Sequence, residues 1–197
     1  MFRFETHESY RFQTTADDSC GSTMSETSIS AAEWRLPIHS WDTHVHVFEP
    51  LKYPYASTRA YTPKTATYEQ LRTFNRNLTA SQTPQNMVLV QPSPYWTDDS
   101  LIIDLLRNHT IASKGCGTKL RAITASNETE VSDEQLQEWN QLGVRGFRIN
   151  TEASSSGTDY EHLTSRIIAT THRVKNYKEW KCQLFISGED WDRKSQT

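Results

Sequence analysis

The sequence predicts an α/β domain with parallel strands. Two observations carry that prediction. From Ile38 onward, short apolar runs alternate with segments whose apolar residues recur at helical spacing. A strand, then a helix, then a strand is the pattern of βαβ units, and such crossovers bring strands together in parallel. The chain also has 197 residues and a net charge of −3, which is enough length to bury a core and little charge to oppose it.

Residues 1–33 stand apart from the rest. They are rich in Ser, Thr, Asp and Glu and have no hydrophobic period. Such a stretch buries too little apolar surface to offset the entropy of ordering, so a disordered N-terminal arm is expected. Its acidic residues Glu5, Glu8, Asp17, Asp18 and Glu26 argue against a mitochondrial presequence.

The domain is expected over residues 34–187. Ile38 to Phe48 reads as the first strand. The loop from Glu49 to about Thr65 carries Pro50, Pro54 and Pro63, and loops of that length are commonly functional or disordered. Ala66 to Leu78 places Tyr68, Leu71, Phe74 and Leu78 at helical spacing. Asn86 to Gln91 is a second strand. Thr97-Asp98-Asp99 opens a helix with acidic residues in its first turn, and Leu101, Ile102, Leu105 and Leu106 form its buried stripe. Leu120 to Ala125 is a third strand. Ser132 and Gln135 have capping-box spacing, which starts a helix through Leu142. Val144 to Ile149 is a fourth strand, followed by a Ser-rich loop over 151–158. A helix over Asp159 to Tyr177 and a fifth strand over Trp180 to Ser187 complete the pattern. Residues 188–197 read as a polar tail rather than a further helix and strand.

Composition excludes several classes. The mild charge points to no nucleic-acid or acidic-membrane partner, and no apolar run approaches the roughly 20 residues that span a bilayer. Cys20, Cys116 and Cys182 are scattered without C-x-x-C spacing, as expected of a reducing, cytoplasmic setting.

The chemistry concentrates at Asp42-Thr43-His44-Val45-His46. On a strand, Asp42, His44 and His46 share one face, and the two imidazoles lie about 6.6 Å apart along it. They can converge on one metal, or clasp a polarised carbonyl or a water. Strand parity likewise groups Val144, Gly146, Arg148 and Asn150 against Arg145, Phe147 and Ile149. If the apolar pair packs on helices, Arg148 points inward, where a guanidinium suits bidentate carboxylate binding.

Trp41 to Phe48, Tyr53-Pro54-Tyr55, Ala60 to Pro63, Asn86 to Ser93 and Gly143 to Asn150, taken in that order and spacing, resemble the amidohydrolase superfamily. The likeness is to the branch of 2-pyrone-4,6-dicarboxylate lactonase and related lactone hydrolases, and it runs from about Trp41 to about Ser187. It implies a TIM barrel, (β/α)8. Such barrels take eight strands and typically about 250 residues, so an incomplete barrel of about five βα units and a truncated chain are expected. The resemblance also implies site residues. His44 and His46 are the catalytic pair, which binds metal in most branches and can polarise the scissile carbonyl without metal in the lactonase branch. Tyr61 contacts substrate, Ser93 binds a substrate carboxylate, and Arg148 binds an anion. The cofactor is left open between a divalent metal such as zinc and none.

The chain departs from that pattern in two places. A further arginine is replaced by the cation-free Ala153 to Gly157, and a tyrosine on strand five is replaced by Phe185. Both losses favour a less anionic lactone, ester or amide. The water-activating aspartate and a later histidine of the resembled family fall past residue 197. Asp42 is expected to fix local structure, and His109, His162 and His172 to lie on helix surfaces. The expected function in the intact form is hydrolysis, by water attack on the carbonyl of a small molecule. The alternative is a non-catalytic truncated form that at most binds ligand or metal. Five strands leave open sheet edges, which invite self-association.

Overall fold

The computed structural model describes residues 36–37, 39–78, 85–112, 118–151 and 160–195. The N-terminal arm, the strand start at Ile38, Cys20, Cys116 and nearly all of the Ser-rich loop lie outside the described residues.

Among the described residues five strands and five α-helices alternate: β1 Trp41–Val45, α1 Tyr68–Asn77, β2 Asn86–Val90, α2 Ser100–Ala112, β3 Leu120–Thr124, α3 Asp133–Leu142, β4 Val144–Asn150, α4 Tyr160–Val174, β5 Lys181–Phe185 and α5 Gly188–Ser195. The strands pair in parallel in sequence order. The sheet is curled, because side chains of its two edge strands meet: His44 Nδ1 on β1 lies 3.4 Å from Gln183 Nε2 on β5. At about 4.8 Å per strand, a flat sheet would hold these strands about 19 Å apart. The described chain is therefore an α/β half-barrel of five parallel strands. No described helix is long and apolar enough to cross a membrane.

The core lies between sheet and helices. Met87, Leu89, Leu120, Ala122, Val144 and Phe147 from the strands pack with Leu101, Ile102, Leu106, Leu136 and Trp139 from α2 and α3. Leu105 completes the expected α2 stripe as a partly buried member. On β4 Phe147 packs in this layer as expected, but Val144, expected on the Arg148 face, packs there too, because the β3–β4 register shifts between Ala122 and Thr124. Arg145 reaches Glu179 and the Asn140 carbonyl, each at 2.8 Å.

Local chemistry sets the element ends. Ser132 accepts from Gln135 N–H while the Gln135 side chain accepts from Ser132 N–H, so α3 begins with the capping box its sequence shows. Thr67 and Gln70 do the same for α1. Gly143, at φ 113°, ends α3 in the left-handed conformation that glycine adopts without steric cost. Gly146 is required for another reason: a Cβ there would strike the Lys181 carbonyl of the paired strand.

Three expectations are corrected. The tail after Ser187 is helical: Ser187 O accepts from Trp191 N–H, and α5 runs over residues in which only Trp191 is apolar, so no hydrophobic period announces it. The first turn of α2 holds no acidic residue. Asp98 precedes the helix and accepts from Ser100 N–H at 3.0 Å. Asp99 turns inward to 5% exposure and ties the start of α2 to the loop after β3, accepting from the N–H groups of Ala125 and Ser126 at 3.0 Å each and from the Ser126 hydroxyl. β1 also ends at Val45, short of Phe48, because Phe48 pairs antiparallel with Ala66 instead.

Candidate functional site

The site is built at the C-terminal ends of the strands. His44 lies on β1 and His46 just past it, with ring centroids 5.1 Å apart and planes near perpendicular. His46 Nδ1 is 2.7 Å from the Val90 carbonyl, which can only accept. Nδ1 therefore carries the proton and Nε2 keeps its lone pair. Burial pushes the His46 pKa down to about 4, against the pull of the Val90 bond and with help from His44 and Arg148. Burial and then Arg148 lower the His44 pKa as well, with Asp42 opposing. Both imidazoles are thus neutral at pH 7. Asp42 accepts from the His44 backbone N–H at 3.4 Å, a local role as expected.

Arg148 projects from β4 and is 5% exposed. Its Nη1 reaches the Gln91 carbonyl at a long 3.5 Å, and its guanidinium lies 4.8 Å from the centre of the Phe185 ring. Its Nε has no hydrogen-bond partner. No carboxylate pairs with it among the described residues. Burial lowers its pKa and Tyr61 acts the other way. Three further buried polar atoms lack partners on these strands or just past them: Gln91 Oε1, Thr151 Oγ1 and Gln183 Oε1.

A cavity of about 480 Å³ opens beside Arg148, and its walls include Gln91, Ser93, Glu128, His162 and Arg166. Ser93 starts the 3-10 turn Ser93–Tyr95 after β2. Arg166, on α4, reaches Glu128 at 3.1 Å, and Glu128 is 2% exposed.

Arg148 joins two groups of the expected residues. It shares the cavity with Ser93, and it acts electrostatically on His44 and His46 and interacts with Tyr61. The histidines and Tyr61, which is 51% exposed, are not part of the cavity wall. His162 lies exposed on α4, as expected, and also lines the cavity. Sequence reasoning missed Gln91, Gln183, Glu128 and Arg166. Gln183 had a readable signal, as a polar residue whose parity on the fifth strand matches Phe185. Glu128 and Arg166 are 38 residues apart, and no local pattern links them.

The described residues do not make up a zinc site. His44 and His46 offer two nitrogens, whereas catalytic zinc takes three protein ligands, and no described group of three or more His, Cys, Asp or Glu could hold a metal.

No family model matches the chain. It is 33% identical over 122 residues to a 2-pyrone-4,6-dicarboxylate hydrolase of Comamonas testosteroni, covering 61% of this chain and 36% of that one. It is 31% identical over 134 residues to a 4-sulfomuconolactone hydrolase of Hydrogenophaga intermedia, covering 66% and 40%. A 4-sulfomuconolactone hydrolase of Rhizobium radiobacter gives 30% over 129 residues, covering 64% and 39%. The matches thus span well under half the length of these curated relatives. Among solved structures, a probable 2-pyrone-4,6-dicarboxylic acid hydrolase of Acinetobacter baumannii, with citric acid bound, superposes with a TM-score of 0.58 at 19% identity. It covers 79% of this chain and 52% of that one, a likeness of fold. The chain is similar to lactone hydrolases.

Proposed function

We propose that this chain carries the substrate-holding part of a lactone hydrolase of the amidohydrolase superfamily, on the first five βα units of a TIM barrel. One observation carries the reading: a buried guanidinium, Arg148, has no carboxylate partner among the described residues and stands beside two neutral imidazoles. A buried cation without a counter-charge is costly, and an anionic ligand relieves that cost. In this reading a ligand carboxylate sits on Arg148, with Ser93 and Tyr61 at its sides. Gln183 donates its amide N–H to His44 Nδ1, so His44 presents Nε2–H to the lactone carbonyl oxygen and polarises it. His46, held by Val90, presents a lone pair beside it. These residues bind, orient and polarise; none of them is assigned the proton of the attacking water. The scattered cysteines support a cytoplasmic setting.

A second reading rests on the unassigned proton of that water. A form that binds ligand without turning it over needs only the groups on these strands. Calorimetric titration with a carboxylated lactone, together with turnover assays against lactones and esters, separates the readings. Binding that is lost in Arg148→Ala supports both. Turnover abolished by His44→Ala supports the first alone. Affinity for the carboxylated lactone that is unchanged in Arg148→Ala removes the basis of both.

A further inference from the structure

The cavity beside Arg148 has two guanidinium groups in its wall, and they are not equivalent. Arg148 is 5% exposed, has no carboxylate partner among the described residues, and leaves its Nε without a hydrogen bond. Arg166 has its Nη2 3.1 Å from Oε2 of Glu128, and Glu128 is 2% exposed. A carboxylate so close and so buried neutralises its partner. Pulling Arg166 away towards a ligand would leave that carboxylate buried and uncompensated, a strongly unfavourable state. Glu130, also in the wall, is an exposed carboxylate that accepts from Asn127 Nδ2 at 2.9 Å.

Among the described residues, a ligand entering this cavity therefore meets one guanidinium without a carboxylate, Arg148, and one that Glu128 already neutralises, Arg166. A first carboxylate gains a charge-assisted contact at Arg148. A second finds no further unpaired guanidinium among the described residues and faces the Glu128 and Glu130 carboxylates, so its desolvation is not repaid.

We propose that Glu128 is a specificity-determining residue: by neutralising Arg166 it selects lactones with a single carboxylate and rejects those with two. The proposal rests on the lactone-binding reading above and names the substrate class within it.

The test is calorimetric titration of the full chain with 2-pyrone-6-carboxylate and 2-pyrone-4,6-dicarboxylate. The expected result is monocarboxylate binding tighter by about tenfold or more, the scale of one unfavourable charge contact. Glu128→Gln keeps the side-chain shape and releases Arg166. It should tighten dicarboxylate binding by about tenfold while changing monocarboxylate binding by less than about threefold. Arg166→Gln leaves Glu128 uncompensated and should weaken both ligands. Equal or tighter dicarboxylate binding by the wild type overturns the proposal, and so does an unchanged ratio in a Glu128→Gln variant with native circular dichroism. If Glu128→Gln does not fold, Arg166→Gln decides: a loss confined to the dicarboxylate would make Arg166 a second anion site and overturn the proposal. Binding of neither probe by the wild type sinks the lactone-binding reading itself, and a dicarboxylate preference sinks this inference alone.

Discussion

Nδ1 of His44 and Nε2 of Gln183 stand 3.4 Å apart, although 139 residues separate them in the chain and three strands separate them in the sheet. The contact crosses the concave face of the half-barrel. A long hydrogen bond of this kind contributes modestly. A double-mutant cycle of His44→Ala and Gln183→Ala, read by urea unfolding, should give a coupling of about 0.5–1 kcal/mol. Strict additivity would mean that the two edge strands do not face each other in solution.

Stability should respond to pH through two buried groups of opposite sign. Burial raises Asp99 from 3.8 to about 6, against the hydrogen bonds it accepts from Ser126 and Ala125. Between those values the native chain holds a proton that the unfolded chain has released, so stability falls as pH rises. Burial lowers His46 from 6.5 to about 4. In that window the unfolded chain holds the extra proton, so stability rises with pH. Each slope reaches about 1.4 kcal/mol per pH unit, and the two largely cancel between pH 4 and 6. Asp99→Asn should unmask the rise, with stability climbing by about 2–3 kcal/mol from pH 4 to 6.5. His46→Gln should leave the opposite slope. Parallel pH profiles for wild type and both variants would contradict these assignments.

Arg148→Ala should chiefly weaken binding of anionic substrates. In an active form, KM should rise by tenfold or more, on the order of one charge-assisted contact, while kcat changes less. A fall in kcat at constant KM would instead assign Arg148 to the transition state.

Two substitutions probe element ends. Ser132→Ala removes half of a capping box and should cost about 1 kcal/mol. Gly146→Ala drives a Cβ into the Lys181 carbonyl, and should cost more than about 3 kcal/mol or leave the chain insoluble. Comparable midpoints for the two variants in denaturant titrations would show that β4 and β5 do not approach as described.

The described sheet presents β1 and β5 as edges, and Trp41, Phe185 and Trp191 are 42%, 45% and 56% exposed. Edge strands with exposed aromatics favour association. Light scattering should report a mass that increases with concentration. A constant monomer mass over a hundredfold dilution series would count against this.

Local signals were readable where one element decides the outcome. Ser132 with Gln135 and the parity that turns Arg148 inward are both properties of a single segment. The Asp99 tether was not readable, because Thr97-Asp98-Asp99 has the composition of an ordinary helix start and its true partners are main-chain groups about 26 residues on. The Glu128 pair was hidden for a similar reason: only the packing of α4 on β4 and β5 brings Arg166 to the loop after β3 that carries Glu128. α5 escaped because a helix with one apolar residue has no stripe to detect.

His46 is aimed by the Val90 main-chain carbonyl rather than by a side chain. Every residue type at position 90 supplies the same acceptor. Drift at that position can repack the core without disturbing the imidazole, so the tautomer of His46 is inherited with the backbone and is protected from point mutation at its own partner.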